Sequence, residues 1–452
     1  MNEIFEIAKN GLQAHQKAID VTGNNIANAA TPGYSRQRAD LEAIAYQKGL
    51  ERVGLGVRVE DVERLRNEFL DLQIQGKTSK EGQLKEEQRI LSQVESIFAT
   101  DTGGDLNKLM NNFFDGFLSL SSNPESPDVR SQIIRDADSV AARISEMDGQ
   151  LQNLQETIGD QSRELTSEVN RLLREIAELD SDITSGEGVG RQSNNKALDQ
   201  RTLKLQELSE LVDLTSTQDS NKSLTLRIGG IVVLQNGQAS DINLELNEAT
   251  NVNRLRLDNG KVLSNVGGKL GAQQNAYSNQ IAEYRNNLDN IAQNLVEEVN
   301  ELHSQGFGLN NSTGLNFFDE DGTTATSISV NSTIRNDINR IAASSQQDSP
   351  GNSDVAEQIA ALRDEELISG YTLSDYSVKL GVDAGSRVRE LNSTLETTQA
   401  SRELLVNQQE SVSGVNIDEE LTNLIKFQNA YQATARVLNT GQQMFDTLLT
   451  IV

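Results

Sequence analysis

Near the N-terminus, Phe5, Leu12, Ile19 and Ile26 recur at helical spacing, with Ala8, His15 and Thr22 filling the intervening steps. The alternating three- and four-residue period predicts a helix from Ile4 to Asn28. A second seam beside the first, Ile4, Ile7, Gly11, Ala14, Ala18 and Val21, gives that helix apolar faces on two sides. The C-terminal end repeats the design. Ile417, Leu421, Leu424, Gln428, Tyr431, Ala435, Leu438, Gln442, Phe445, Leu449 and Val452 form one seam. Phe427, Ala430, Thr434, Val437, Gly441 and Met444 form the next. Broad apolar faces of this kind imply burial against something else.

Longer patterns fill the middle. Ser126-Pro127 reads as a cap followed by proline at the first helical position. From Ile133 through Val140, Leu151, Ile158 and Leu172 to Ile183 one apolar face is continuous, so the helix spans about 85 Å at the standard rise. A stutter at Leu165–Val169 interrupts its period. Further helices are expected over Asn194–Leu211, over Gly271–Leu302 along Tyr277, Ile281, Tyr284, Leu288, Ile291 and Leu295, and over Leu373–Val412. Between Leu214 and Leu263 the period changes to two, with Gly and Asn-Gly turns, which predicts β-hairpins. Phe307–Ala343 is mixed, with a strand expected at Ser327–Asn331. The fold class is therefore mainly α. The terminal helices pair as a coiled coil (1–30 with 417–452), an elongated helical-bundle trunk covers 31–212 and 267–416, and a small β-rich domain is inserted at 213–266.

Composition narrows the functional classes. The 452-residue chain has a net charge of −27, which argues against nucleic acid and anionic membrane as partners. Most of the excess acid lies between the nearly neutral terminal segments. Without Cys there is no disulfide or thiolate metal site. No signal peptide is visible in residues 1–25, and nothing approaches a membrane span.

The stretch NNIANAATPGYSRQR, Asn24–Arg38, ends the first helix abruptly. Asn24, Asn25 and Asn28 favour caps and turns over helix interiors. Pro32 keeps Thr31 out of the α region, Gly33 can take positive φ, and Tyr34 offers a ring with a hydroxyl. An ordinary helix stop accounts for the local chemistry. The position of the stop, between a near-neutral helix and an acidic body, makes it a joint.

That stretch resembles the N-terminal signature shared by the axial proteins of the bacterial flagellum. Further along, GVRVEDVERLRNEFLDLQ (Gly56–Gln73), LDQRTLKLQELSELVDL (Leu198–Leu214) and the run from Gly268 to Gly306 are similar to the hook-associated protein 1 (FlgK-type) family. So is SVSGVNIDEELTNLIKFQNAYQATARVLNTGQQMFDTLL (Ser411–Leu449), the most specific block. The β insert resembles the family least. The resemblance implies a structural protein, with no catalysis and no cofactor, that forms a self-assembled ring between hook and filament. It implies a chain exported unfolded through the flagellar type III apparatus to an extracellular site. Implied partners are copies of itself, hook protein, hook-associated protein 3 and a chaperone on the C-terminal helix. The implied assembly residues are Phe5, Leu12, Ile19, Asn24, Asn25, Ile26, Asn28, Thr31, Pro32, Gly33 and Tyr34 in the first helix and joint. In the last helix they are Ile417, Leu421, Leu424, Phe427, Tyr431, Leu438, Phe445 and Leu449.

The terminal helices are expected to order only on assembly, since isolated helices are marginal in water. Polar seam residues His15, Gln428 and Gln442 would set register. Other motifs carry less. Asp319–Gly322 fails as a calcium loop, because the first and twelfth positions would be Phe317 and Ile328. His15 and His303 have no neighbouring ligand and read as seam or surface residues. Gly54-Leu55-Gly56 reads as a turn. No carboxylate pair stands out as catalytic. Competing readings are hook-associated protein 3, a helical scaffold that is not exported, and a peptidoglycan-cleaving flagellar protein.

Overall fold

The computed structural model describes residues 2–48, 51–99, 105–185, 191–219, 221–247 and 249–451. Val452, the last position of the C-terminal seam, lies outside them. The chain opens with α1 (Asn2–Ala27), followed by an antiparallel hairpin of β1 (Gln37–Lys48) and β2 (Glu51–Arg64). Then come α2 (Glu68–Phe98), α3 (Leu106–Ser122), α4 (Pro127–Thr184) and α5 (Arg191–Leu211). Two small antiparallel sheets succeed them. One holds β3 (Leu214–Gln218), β4 (Leu224–Ile228), β5 (Ile231–Gln235) and β6 (Gln238–Ala239); the other holds β7 (Ile242–Asn247), β8 (Val252–Leu257) and β9 (Val262–Leu263). The chain closes with α6 (Gly268–Asn275), α7 (Ile281–Gln305), the short α8 (Ser332–Asn336) and α9 (Asp354–Ala361), and the long α10 (Leu373–Ser413) and α11 (Ile417–Ile451).

The long α4 runs 58 residues. Ser126 Oγ accepts the Val129 N–H at 3.4 Å, and Pro127 follows it in the first turn. Its apolar face lies in two cores. The first gathers α2, α3, the first part of α4, α7 and α10 around the rings of Phe113, Phe114, Phe117, Phe317 and Phe318. The second packs the end of α4 and α5 against the sheets through Leu173, Ile176, Leu208, Leu226 and Leu255.

Several expectations need correction. The mainly helical segment 31–212 opens on a hairpin, β1–β2, that the helical periods do not announce. Gly54-Leu55-Gly56 is no turn between elements: it lies within β2, where the register slips between Ala43 and Ala45 and Gly56 takes φ +91°. A bulge of this kind lets the strand bend. The strand expected at Ser327–Asn331 reduces to one bridge between Phe318 and Val330, since no neighbouring strand runs beside it. The helix expected over Gly271–Leu302 is interrupted by a π-helical turn at Ala276–Gln280. Asp319–Gly322 closes as a turn through the Gly322 N–H to the Asp319 carbonyl at 3.0 Å.

His303 is a core residue, not a surface one. Its Nδ1–H donates to the Leu315 carbonyl at 2.7 Å, and Nε2 accepts the Ala342 N–H at 2.9 Å. Burial pushes the imidazole down to about 4, against the Leu315 bond and aided by the nearby Arg130 charge. The unfolded ring takes its proton near pH 6.5, so this residue's stabilisation is complete above that value. It is lost as pH falls toward 4. Urea unfolding between about pH 7 and about pH 4.5 should cost the wild type about 2–3 kcal/mol more than a His303→Gln variant.

Candidate assembly interface

α1 and α11 run antiparallel. Gly11 faces Thr434 so closely that a Cβ there would lie 2.9 Å from the threonine methyl. One end further on, Gly441 faces Ile4 and Phe5, and the Phe5 and Phe445 rings meet edge to face at 6.4 Å. The small residues of the second seam of α1, Gly11, Ala14, Ala18 and Val21, are therefore buried, together with Ala8 of the first. Phe5, Leu12, Ile19 and Ile26 are half-buried beside it. On its other side α1 meets the hairpin, where Asn10 Nδ2 donates to the Leu55 carbonyl at 3.0 Å. His15 is half-buried on α1, and desolvation lowers its pKa.

α11 begins at a capped turn, with Asn416 Oδ1 accepting the Asp418 N–H at 3.0 Å. Leu424, Phe427, Tyr431 and Leu438 are half-buried, whereas Ile417, Leu421, Phe445 and Leu449 are exposed, Leu449 by 62%. Ile425, Val437 and Met444 are exposed with them. Among the described residues, these apolar side chains of α11 are left largely uncovered on the flanks of its contact with α1. Gln428 and Gln442 are also exposed.

The joint is built around Asn25, which is 1% exposed. Its Nδ2 donates to the Gln37 carbonyl at 2.8 Å and to Glu420 Oε2 at 2.9 Å. Its Oδ1 accepts the Gln37 N–H at 2.9 Å and the Tyr34 hydroxyl at 2.8 Å. Both donors and both lone pairs are used, which is full satisfaction for a buried amide. Glu420, 2% exposed on α11, also takes Arg36 Nη2 at 2.7 Å. Arg36 further reaches Glu419 at 3.0 Å, and its N–H donates to the Ser413 carbonyl at 2.9 Å. Burial, with the charges of Asp199 and Glu420, pushes the Tyr34 phenol up to about 12, so it remains a donor.

Around this knot the other joint residues shape the turn. Asn28 Nδ2 donates to the Asn24 carbonyl at 2.9 Å, and the Thr31 hydroxyl reaches Asn28 Oδ1 at 3.3 Å. Thr31, Pro32 and Gly33 are exposed, and Gly33 takes φ +77°. The Ser35 N–H donates to Asp199 of α5 at 3.2 Å, and Asp199 pairs with Arg64 at 3.1 Å. Burial raises the Asp199 carboxyl despite the Arg64 charge. Arg66 clamps Asp71 at 2.6 Å, which ties the hairpin exit to α2. The joint therefore binds α1, the hairpin, α2, α5 and α11 together.

Arg36, Gln37 and Glu420 carry the joint yet do not stand out in the sequence. The RQR run is a basic signal in an acidic chain, but Glu420 reads as an ordinary first-turn acid. Among the described residues no group of three or more His, Cys, Asp or Glu is placed to hold a metal. No described helix is long and apolar enough to cross a membrane.

Paired terminal helices on a long helical trunk define a structural, self-packing class of protein, and comparison with known proteins specifies it. The chain belongs to the flagellar hook-associated protein FlgK family, whose helical-domain pattern matches residues 91–318, about half its length. Its ends match the flagella basal body rod protein pattern at 5–34 and the C-terminal pattern of the basal body rod FlgEFG proteins at 408–451. It is 28% identical to flagellar hook-associated protein 1 of Bacillus subtilis, over 98% of this chain and 97% of that one. It is 25% identical to the protein of that name from Salmonella typhimurium, over the whole of both. The fold is similar to the flagellar hook junction protein FlgK from Burkholderia pseudomallei, with TM-score 0.64 and 13% identity over 76% of this chain and 100% of that one. The protein is a structural component of the flagellar hook–filament junction.

Proposed function

We propose that α1, the joint and α11 form the surface through which copies of this chain pack into a ring between hook and filament. The observation that carries this reading is the set of exposed apolar side chains on α11, from Ile417 to Leu449, which flank the line along which that helix packs on α1. Such side chains, once packed on a neighbour, bury area worth about 25 cal/mol per Å². The assembly residues are those named at both ends, with Asn25, Tyr34, Arg36 and Glu420 holding the helix pair at a set angle to the trunk.

On this reading residues 1–30 and 417–452 are one assembly domain, 31–212 and 267–416 the trunk, and 213–266 an inserted β domain. Neighbours in the axis are hook protein on one side and hook-associated protein 3 on the other. The chain acts without catalysis, reaches the cell exterior unfolded through the type III route, and presents α11 to a chaperone beforehand. Hook-associated protein 3 and a scaffold that stays in the cell are the alternatives. Family membership favours the first reading over both.

Two measurements test it. Gold-labelled antibody on purified flagella should mark one band at the hook–filament boundary; label along the filament or none at all defeats the proposal. In dilute monomer, amides of α11 beyond Glu420 should exchange faster than those of α4, because α11 packs mainly on α1 and lies outside both apolar cores. Equal protection in the two would remove the ordering step.

A further inference from the structure

The two apolar cores are separated by a polar level across the trunk. On α4 the first core ends at Ile158 and the second begins at Val169. Between them the buried positions are Gly159, Ser162 and Thr166. Ser162 Oγ lies 2.8 Å from the Ile158 carbonyl and 3.0 Å from Gln273 Oε1, and it accepts from Asn253 Nδ2 at 3.0 Å. Thr166 Oγ1 donates to the Ser162 carbonyl at 2.7 Å. Gln273 Nε2 continues the network to Glu86 of α2 at 2.8 Å.

Two of the long helical runs that cross this level have irregular backbone there, while α2 passes it as an unbroken helix. In α4, two successive hydroxyls bond back one turn, a pattern that loosens and bends helices. In the run from α6 to α7, the π-helical turn Ala276–Gln280 stands opposite, with Tyr277 3.3 Å from where a Gly159 Cβ would be. The Tyr277 carbonyl, inside that turn, accepts from Gln155 Nε2 at 2.8 Å. The network is not closed, since Asn253 Oδ1 and Gln280 Oε1 are buried without a hydrogen-bond partner. Interdigitated apolar side chains resist sliding, whereas hydrogen bonds between polar groups can be exchanged for bonds to water as a gap opens.

We propose that the trunk carries a built-in hinge at this level, about which α5 and the sheets tilt against the Phe-rich helical half. Three features converge on it: the break between cores, the hydroxyl-bonded stretch of α4, and the π-turn facing that stretch. The hinge would let one subunit follow a changing angle between its neighbours while both halves keep their packing.

The absence of Cys makes site-directed spin labelling clean. In the full-length chain, one label pair at Ser139→Cys and Lys261→Cys spans the level. Asn336→Cys with Glu156→Cys reports the helical half, and Glu178→Cys with Lys261→Cys reports the sheet half; all these sites are exposed. Pulsed dipolar distances should be broader for the spanning pair than for either control, by about a factor of two. A spanning distribution as narrow as both controls would overturn the hinge.

Discussion

Asn25→Leu should release the terminal helices from the trunk. The substitution removes an amide that satisfies the Gln37 backbone, the Tyr34 hydroxyl and the Glu420 carboxylate at once. Glu420 would remain buried with Arg36 as its support. Leaving buried polar partners unmet in this way costs on the order of 3–5 kcal/mol. Amide exchange around Gln37 and Glu420 should accelerate accordingly, while the α4 amides stay unchanged. Asn25→Asp sharpens the test, because its shape is the same but it would place a second carboxylate against Glu420. Two carboxylates in contact share one proton. Asn25→Asp should therefore be nearly as disruptive as Asn25→Leu near neutral pH and should recover as the solution is acidified; no recovery would mean that charge is not what governs the joint.

Phe113→Ala should be as costly but confined to the trunk. Phe113 is fully buried and meets Phe114, Phe117, Phe317 and Phe318 at centroid distances of 5.2, 5.3, 5.7 and 5.8 Å. Truncating such a ring leaves a cavity and costs about 3–5 kcal/mol. Denaturant unfolding of the trunk should show that loss, with exchange at Gln37 and Glu420 unaltered. If joint amides were to accelerate equally, the joint and the trunk core would be one cooperative unit instead of two.

Much of the helical architecture was legible because long amphipathic runs state their own period. Ser126-Pro127 announces the start of α4, and the face from Ile133 to Ile183 leaves little else for that stretch to be. The alternation at Leu224–Ile228 and Asn253–Leu257 likewise identifies strands. The hairpin β1–β2 was hidden by its own irregularities. Register slips at Asp40–Leu41 and Ala43–Ala45 break the two-residue period, and charged residues alternate along much of both strands. Ser327–Asn331 fails for the opposite reason: its alternation is regular, but a strand needs a neighbour, which Phe318 alone does not supply.

The joint was half legible. Asn25 and Tyr34 stood out as a helix stop, because their types are unusual at the end of an apolar helix. What they hold is Glu420, which lies 395 residues further along the chain from Asn25. No local pattern carries that pairing. The π-turn at Ala276–Gln280 is hidden in the same way, because its residues keep the seam spacing of an ordinary helix while the backbone widens.

The most direct test removes residues 421–452, leaving Glu420 and its contacts in place. Purified full-length and shortened chains would each be added to isolated hooks lacking this protein, so that export plays no part. The trunk should unfold at the same denaturant midpoint in both, since the deleted helix lies outside both apolar cores. Only the full-length chain should cap the hook ends. Should the shortened chain cap them equally well, the terminal helices are not what joins this protein to its neighbours.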